Sequence, residues 1–311
     1  MKQAAVVYNQ RAGRGCPEGA ASRALLVAEA LARTGWSVQE PMPTEGPRHA
    51  VELAAGLPDE VSRLVVLGGD GTLREAAEGL LDGSREASLG FLPVGNGNVL
   101  ARELRIPLFD LDRALQIAVS DQVVSLDVGR ANGKLFLAMV GVGFDALVTR
   151  WVDRVRAGRL GDWIYRKLPD GLFVANGILA LLRFLPTRFD VETDGRKAAE
   201  RAGSVIVANT ATYAKGWAVA RDASPFDGRL DAVLLRHAMG PLAAWPLLRA
   251  KARQPYGPFF GQVVRAESIT IRSDRPFFWQ ADGDPMGAVE QLLIGIEPGA
   301  LRIAAGGQAA D

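Results

Sequence analysis

The sequence predicts two domains: an α/β N-terminal domain with a parallel sheet and flanking helices, then a mostly antiparallel β-sandwich. Three observations carry this. The 311 residues suit about two domains of ordinary size. Strand-like and helix-like runs alternate over the first 130 residues. After about residue 122 the pattern becomes one of hairpins.

The alternation can be followed element by element. "AAVVYN" (4–9) is a strand, and "ASRALLVAEALART" (21–34) has helical periodicity and stops at Gly35. "WSVQE" is a second strand and "PRHAVELAAGL" (47–57) a second helix. "RLVVLGG" is strand three and "TLREAAEGLLDG" its helix. "SLGFLPVG" is strand four, with helices in "NVLARELRI" and "LFDLDRALQIAVS". Strands separated by helices belong in a parallel sheet covered on its faces.

Beyond that, "VVSLDVGRANGKLFLAMVGVGF" is a hairpin turning at Asn132-Gly133, and a second hairpin turns at Asp194-Gly195. "GRLDAVLLRH", "SITIRSD" and "PFFWQADGDPM" add strands, with helices expected around 143–184 and 240–253. The expected domains are 1–128 and 129–296, with a tail of about 297–311 returning to the first.

Composition narrows the function. The formal net charge of +1 argues against nucleic acid as the main partner. Cys16 is the one cysteine, which fits a reducing cytoplasm. The first residues do not form a secretory signal, since Arg11 and Arg14 interrupt the apolar run. No apolar run reaches the roughly 20 residues that span a bilayer. His49 and His237 have no neighbours at zinc-ligand spacing.

The strongest local signal is "LGGDGTLREAAEGL" (67–80). Glycines between a strand and a helix let backbone approach a bulky anion, and helix N–H groups then face it. Thr72 is placed to cap the helix or to meet a phosphate oxygen. A bare Asp70 repels phosphate, so a divalent cation is expected between them. The stretch has neither the Walker A ending nor the Rossmann glycine spacing.

"GGDGT" followed by "LGFLPVGNGNVLARELRIP" (89–107) resembles the diacylglycerol kinase catalytic-domain family, in particular the bacterial soluble lipid kinases related to sphingosine kinases and distantly to NAD kinases. The likeness covers nearly the whole chain. "VVYNQRAGRG", "SLDVGR" with Asp127, "GVGFDA" (141–146), "SPFDGRLDAVLL" (224–235) and "QADGDP" (280–285) match in order.

The resemblance implies ATP held by Asn9, Thr44, Gly68, Gly69, Asp70, Gly71, Thr72, Leu73, Arg74, Glu75, Gly95, Asn96 and Asn98. It implies Asp70 near a catalytic Mg2+, Asp282 as the general base, and Asp284 supporting Asp282. A structural Mg2+ is implied at Asp227 with the carbonyls of Ser224 and Arg229. Gln10, Arg74, Asn96, Val99 and Asp284 depart from the family's usual Pro, Asn, Thr, Asp and Glu.

A lipid substrate is expected, with ATP as phosphoryl donor. "MGPLAAWPLLRAKAR" (239–253) mixes apolar and basic residues suited to peripheral contact with an anionic membrane surface, at the inner face of a cytoplasmic protein. A homodimer is compatible with the chain. Two alternatives stay open: a soluble-metabolite kinase of NAD kinase type, and a catalytically weak nucleotide- or lipid-binding protein.

Overall fold

The computed structural model describes residues 2–11, 19–95, 97–157, 187–213, 217–236, 249–257 and 259–307. In chain order the first elements are β1 (Gln3–Asn9), α1 (Gly19–Arg33), β2 (Ser37–Val38), β3 (Met42–Thr44), α2 (His49–Ala55), β4 (Val61–Gly68), α3 (Asp70–Asp82) and β5 (Ser88–Pro93). Then come α4 (Val99–Glu103), α5 (Leu111–Val119), β6 (Val123–Ala131), β7 (Lys134–Phe136), β8 (Met139–Val142) and α6 (Phe144–Ala157). The remainder are β9 (Phe189–Thr193), β10 (Arg196–Ala202), β11 (Ser204–Ala208), β12 (Thr212–Tyr213), β13 (Trp217–Ala218), β14 (Leu230–Leu235), β15 (Gly261–Ala266), β16 (Ser268–Ala281) and β17 (Asp284–Ala304). The chain forms two compact units, residues 1–128 with 298–311, and residues 129–297.

In the first unit β4 lies between β1 and β5, all parallel, with Val66 opposite Val7 on one side and Phe91 on the other. β2 and β3 run parallel along the free edge of β1, and Ile303 near the end of β17 pairs with Leu89 of β5. The apolar run of β4 is what a strand covered on both faces requires. Val65 and Leu67 pack with Val27 and Leu31 of α1, with Trp36, and with Ala118 of α5.

Helix α1 stops because Gly35 takes a positive φ of 87°. Gly35 N–H then donates to Ala32 O and Trp36 N–H to Leu31 O, a Schellman stop whose apolar contact is Trp36 on Leu31.

Arg63 of β4 is buried and forked. It donates to Ser88 Oγ (2.8 Å), Ala118 O (2.7 Å) and Ser120 O (2.9 Å), so the end of α5 supplies carbonyls to a charge that burial would otherwise penalise. Burial lowers the guanidinium's pKa.

The second unit is antiparallel: β14 pairs with β15 and β11, β11 with β8, and β8 with β16. β16 changes partner along its length. Ile269–Arg272 pair with β9, and Trp279–Ala281 pair with β8. A register shift against β17 separates the two halves. Phe189, Val191, Val205, Val207, Ile271 and Leu292 fill the core, and Phe189 meets Phe277 edge-on, 5.1 Å between centroids.

Two strands expected separately, 268–274 and 276–286, are thus one strand with a bulge that ends at Ala281. β15 and most of β17 go beyond what the sequence pattern predicts. The expected second strand is only Ser37–Val38, with Met42–Thr44 as a further short piece. Of the expected helix 143–184, α6 covers Phe144–Ala157, and residues 158–186 and 237–248 lie outside the described set.

Candidate active site

Within the first unit, parallel strands leave their carboxyl ends on one edge. Asn9 ends β1, Thr44 ends β3 opposite Asn9, Gly68 ends β4 and Pro93 ends β5. That edge is where open α/β sheets take ligands.

Neither Gly68 nor Gly69 has a positive φ; Gly69 is extended at −104°, −174°. Close approach requires them instead. A Cβ on Gly95 would sit 2.6 Å from Gly69 Cα, and one on Gly68 would sit 2.7 Å from Thr72 Cβ. Val94 N–H donates to Gly68 O (2.9 Å), so the loops after β4 and β5 are laid backbone on backbone.

Two expectations change here. Thr72 is not a cap: it is the third residue of α3, and its Oγ1 accepts from Asn9 Nδ2 at 3.2 Å. Asp70 is not bare: its Oδ1 accepts from Leu100 N–H (3.3 Å), and the amides of Asn98 and Val99 also face it. The start of α4 thus offsets part of the cost of burying the carboxylate. Burial pushes its pKa up, against the pull of those amides.

Asn98 holds a left-handed conformation at φ 48°, and its Nδ2 donates to Gly95 O (2.8 Å). Its Oδ1 is buried with no hydrogen-bond partner, on a residue only 5% exposed. A buried acceptor left over beside a glycine loop is what a missing donor or cation would satisfy. The residues here therefore fit a ligand that brings a donor or a cation to Asn98.

Leu73 and Arg74 are both buried on α3. Leu73 belongs to the core, and its backbone N–H donates to Gly69 O at 3.1 Å. Glu75 accepts from Arg48 N–H (3.0 Å), and the Arg48 guanidinium forks onto Glu78 (3.2 Å twice). Gly71 is the second residue of α3. Asn96 lies outside the described residues. Asp127 is buried and accepts from Gly299 N–H (2.7 Å).

Within the second unit, Asp282 and Gly283 form the two-residue turn joining β16 to β17, with φ of 49° and 87°. Positive φ at both positions makes this a type I′ turn. Three backbone amides grip the Asp282 carboxylate: Ala138 (2.8 Å) and Met139 (2.9 Å) on Oδ1, and Leu137 (2.8 Å) on Oδ2. Asp282 N–H donates in turn to Met139 O (2.9 Å). Asp284 is exposed at the first position of β17.

Asp227 accepts from Arg229 N–H (3.1 Å) in a local turn, and its other oxygen faces Arg265 Nη1 at 3.5 Å. Arg265 also reaches Asp231 (3.2 Å) and Asp222 O (2.7 Å). No group of three or more metal-ligating side chains occurs among the described residues. Beside Asp227, Arg265 thus already supplies positive charge. Burial raises the pKa of Asp231 most, with Arg265 pulling against it.

Sequence reasoning missed Arg48, the amides of 137–139 and Gln280. Gln280 carried a signal: it is a polar residue inside the apolar run "FFWQA".

Residues 3–131 match the model of the diacylglycerol kinase catalytic domain, and residues 138–305 match the YegS C-terminal NAD kinase beta sandwich-like domain. A probable lipid kinase YegS-like of Pseudomonas aeruginosa is 43% identical over 81% of this chain and 78% of its own. A diacylglycerol kinase of Bacillus subtilis is 28% identical over 76% and 75%. A solved putative diacylglycerol kinase of Bacillus anthracis superposes with a TM-score of 0.80 at 20% identity, covering 99% of this chain and 97% of that one. An NAD kinase of Archaeoglobus fulgidus in complex with ATP gives 0.52 at 16% identity, over 99% and 95%. The two structural likenesses speak for fold alone.

Proposed function

The chain belongs to the diacylglycerol kinase-like lipid kinase family, and on that premise we propose that it transfers the γ-phosphoryl group of ATP to a hydroxyl of a glycerolipid or sphingoid. The observation that carries the reading is the edge where β1, β3, β4 and β5 end, with the N-terminus of α3 and the leftover acceptor of Asn98 beside it.

When bound, Mg-ATP supplies the phosphoryl group and the cation that neutralises its charge. The protein's part is positional. Amides at the start of α3 bind phosphate oxygens, and Asn9 and Thr44 line the nucleotide's place. Asp70 holds the loop after β5 against the glycine loop. Asp282 takes the proton from the lipid hydroxyl, and the 137–139 amides keep its carboxylate in one orientation. Asp284 supports that turn. No step runs through a metal at Asp227.

Among the described residues no helix is long and apolar enough to cross a membrane. Lys251 and Arg253 are exposed in the part of 239–253 that is described. They favour peripheral, salt-sensitive contact with anionic lipid at the inner membrane face of a cytoplasmic protein.

ATP consumption with diacylglycerol, sphingoid and NAD acceptors tests the reading. Turnover with a lipid alone supports it. Turnover with NAD alone replaces it with a soluble-metabolite kinase, and no turnover with any acceptor leaves a binding protein.

A further inference from the structure

"GVGFDA" folds into an arrangement that the proposed chemistry has not yet used. Gly141 of β8 lies opposite Gln280 of β16. Gly143, at φ 81°, turns the chain from β8 into α6, and Asp145 is the second residue of that helix. Its carboxylate comes back over Gly141, so that a Cβ on Gly141 would lie 1.8 Å from Asp145 Oδ2. Gln280 is fully buried and Asp145 nearly so.

The Gln280 amide joins two groups of opposite hydrogen-bonding type. Gln280 Nε2 donates to Asp145 Oδ2 at 2.5 Å. Gln280 Oε1 accepts from Gly283 N–H at 2.8 Å. A carboxylate oxygen accepts and a backbone N–H donates, so only one orientation of the amide satisfies both. Reversing it would bury two mismatched pairs.

Gly283 is the second residue of the turn whose first residue is Asp282. A type I′ turn has both central residues at positive φ, which Asp-Gly favours, and contacts at its two ends fix where it points. The amides of 137–139 grip the carboxylate end of this turn, and the Gln280 carbonyl grips its Gly283 end.

We infer that Asp145 and Gln280 are positioning residues for the Asp282–Gly283 turn: Asp145 orients the Gln280 amide, and that amide fixes the turn which aims the Asp282 carboxylate. The inference rests on the reading of Asp282 as the proton acceptor. It gives the "GVGFDA" segment a role at the chemical step rather than in nucleotide binding.

The test is a swap. Gln280→Glu places two carboxyl groups face to face at hydrogen-bond distance. It is expected to lower kcat by about tenfold or more, as for a displaced catalytic group, with KM for ATP within about twofold. Asp145→Asn combined with Gln280→Glu restores the chain in mirror form. The amide introduced on α6 is then the donor, the carboxylate introduced on β16 still accepts from Gly283 N–H, and the net charge is unchanged. The pair is expected to recover kcat to within about threefold of wild type. Gly141→Ala, which displaces Asp145, is expected to lower kcat as Gln280→Glu does.

The folded fraction of each variant, measured by circular dichroism, puts each kcat per folded molecule, and Tm is recorded beside it. A role in folding alone lowers Tm and leaves that kcat unchanged. Wild-type kcat in folded Gln280→Glu, or a double variant no better than the single at equal Tm, overturns the inference. If Gln280→Glu does not fold, Asp145→Ala decides, since it removes the acceptor: kcat per folded molecule lowered about three- to tenfold at constant KM supports positioning, and unchanged kcat overturns it. Asp282→Asn is measured alongside. If that variant turns over at the wild-type rate, the base assignment itself has failed. If it is inert while Gln280→Glu is normal, only the positioning inference has failed.

Discussion

Two short acidic glycine segments, Gly69-Asp70-Gly71 and Asp282-Gly283-Asp284, look alike in sequence and are built on different physics. In both, backbone amides from a later or earlier loop hold the aspartate: 98–100 for Asp70 and 137–139 for Asp282. Before Asp70 the glycine is needed because the backbones of Gly69 and Gly95 touch, and neither has positive φ. Around Asp282 the glycine is needed because the turn demands positive φ, and a Cβ on Gly283 would meet nothing within 4 Å. A glycine in a sequence therefore reports a constraint without saying whether it is steric or conformational.

The sharpest way to break this comparison is to neutralise each aspartate in turn. Asp282→Asn is expected to lower kcat by roughly 10²–10⁴-fold, measured as ATP consumption with a lipid acceptor. It also turns one carboxylate oxygen into an NH2 against a backbone N–H, so urea unfolding is expected to show a loss of about 1–3 kcal/mol.

Gly95→Ala comes next. A Cβ 2.6 Å from Gly69 Cα must part the two loops. A stability loss of about 1–3 kcal/mol is expected, with a raised KM for ATP. Gly283→Ala tests the opposite constraint. It has space but the wrong φ, so about 1–2 kcal/mol is expected.

Asp70→Asn is expected to behave unlike Asp282→Asn. Burial raises the native pKa of Asp70 above its ordinary 3.8. Between those two values the native state binds the proton more tightly than the unfolded chain does, so this group's contribution to stability falls as pH rises through that window. The asparagine has no such penalty. The Tm of the variant relative to wild type is thus expected to rise from low pH to neutrality, while turnover falls. A relative Tm that falls over the same range would remove burial as the dominant influence on Asp70.

The smallest effect belongs to a turn outside the amides that hold Asp282. Gly133→Ala, at φ 78° in the Asn132-Gly133 turn, is expected to cost about 1–2 kcal/mol and leave kcat per folded molecule unchanged.

Local rules made parts of this molecule readable. Asn132-Gly133 and Asp194-Gly195 fall where expected, since a type I′ turn is written in two adjacent residues. The strands ending at Asn9 and Gly68, and the helix after Gly68, follow from apolar periodicity. β17 is hidden in the sequence because Pro285, Gly287, Gly295 and Pro298 interrupt its pattern. Its 21 residues hold together through partners elsewhere in the chain.

By itself the sequence determined the strand–helix alternation, the change to hairpins, the turn positions and the order of acidic glycine motifs, because each depends on residues within one or two turns of chain. Only the tertiary structure decided that Asp70 accepts from the start of α4, that Arg265 lies beside Asp227, and that Gln280 links Asp145 to the Asp282 turn. The Asp70–Leu100 and Asp145–Gln280 contacts join residues 30 and 135 positions apart. A hydrogen bond depends on where the fold brings donor and acceptor, and local spacing holds no record of that.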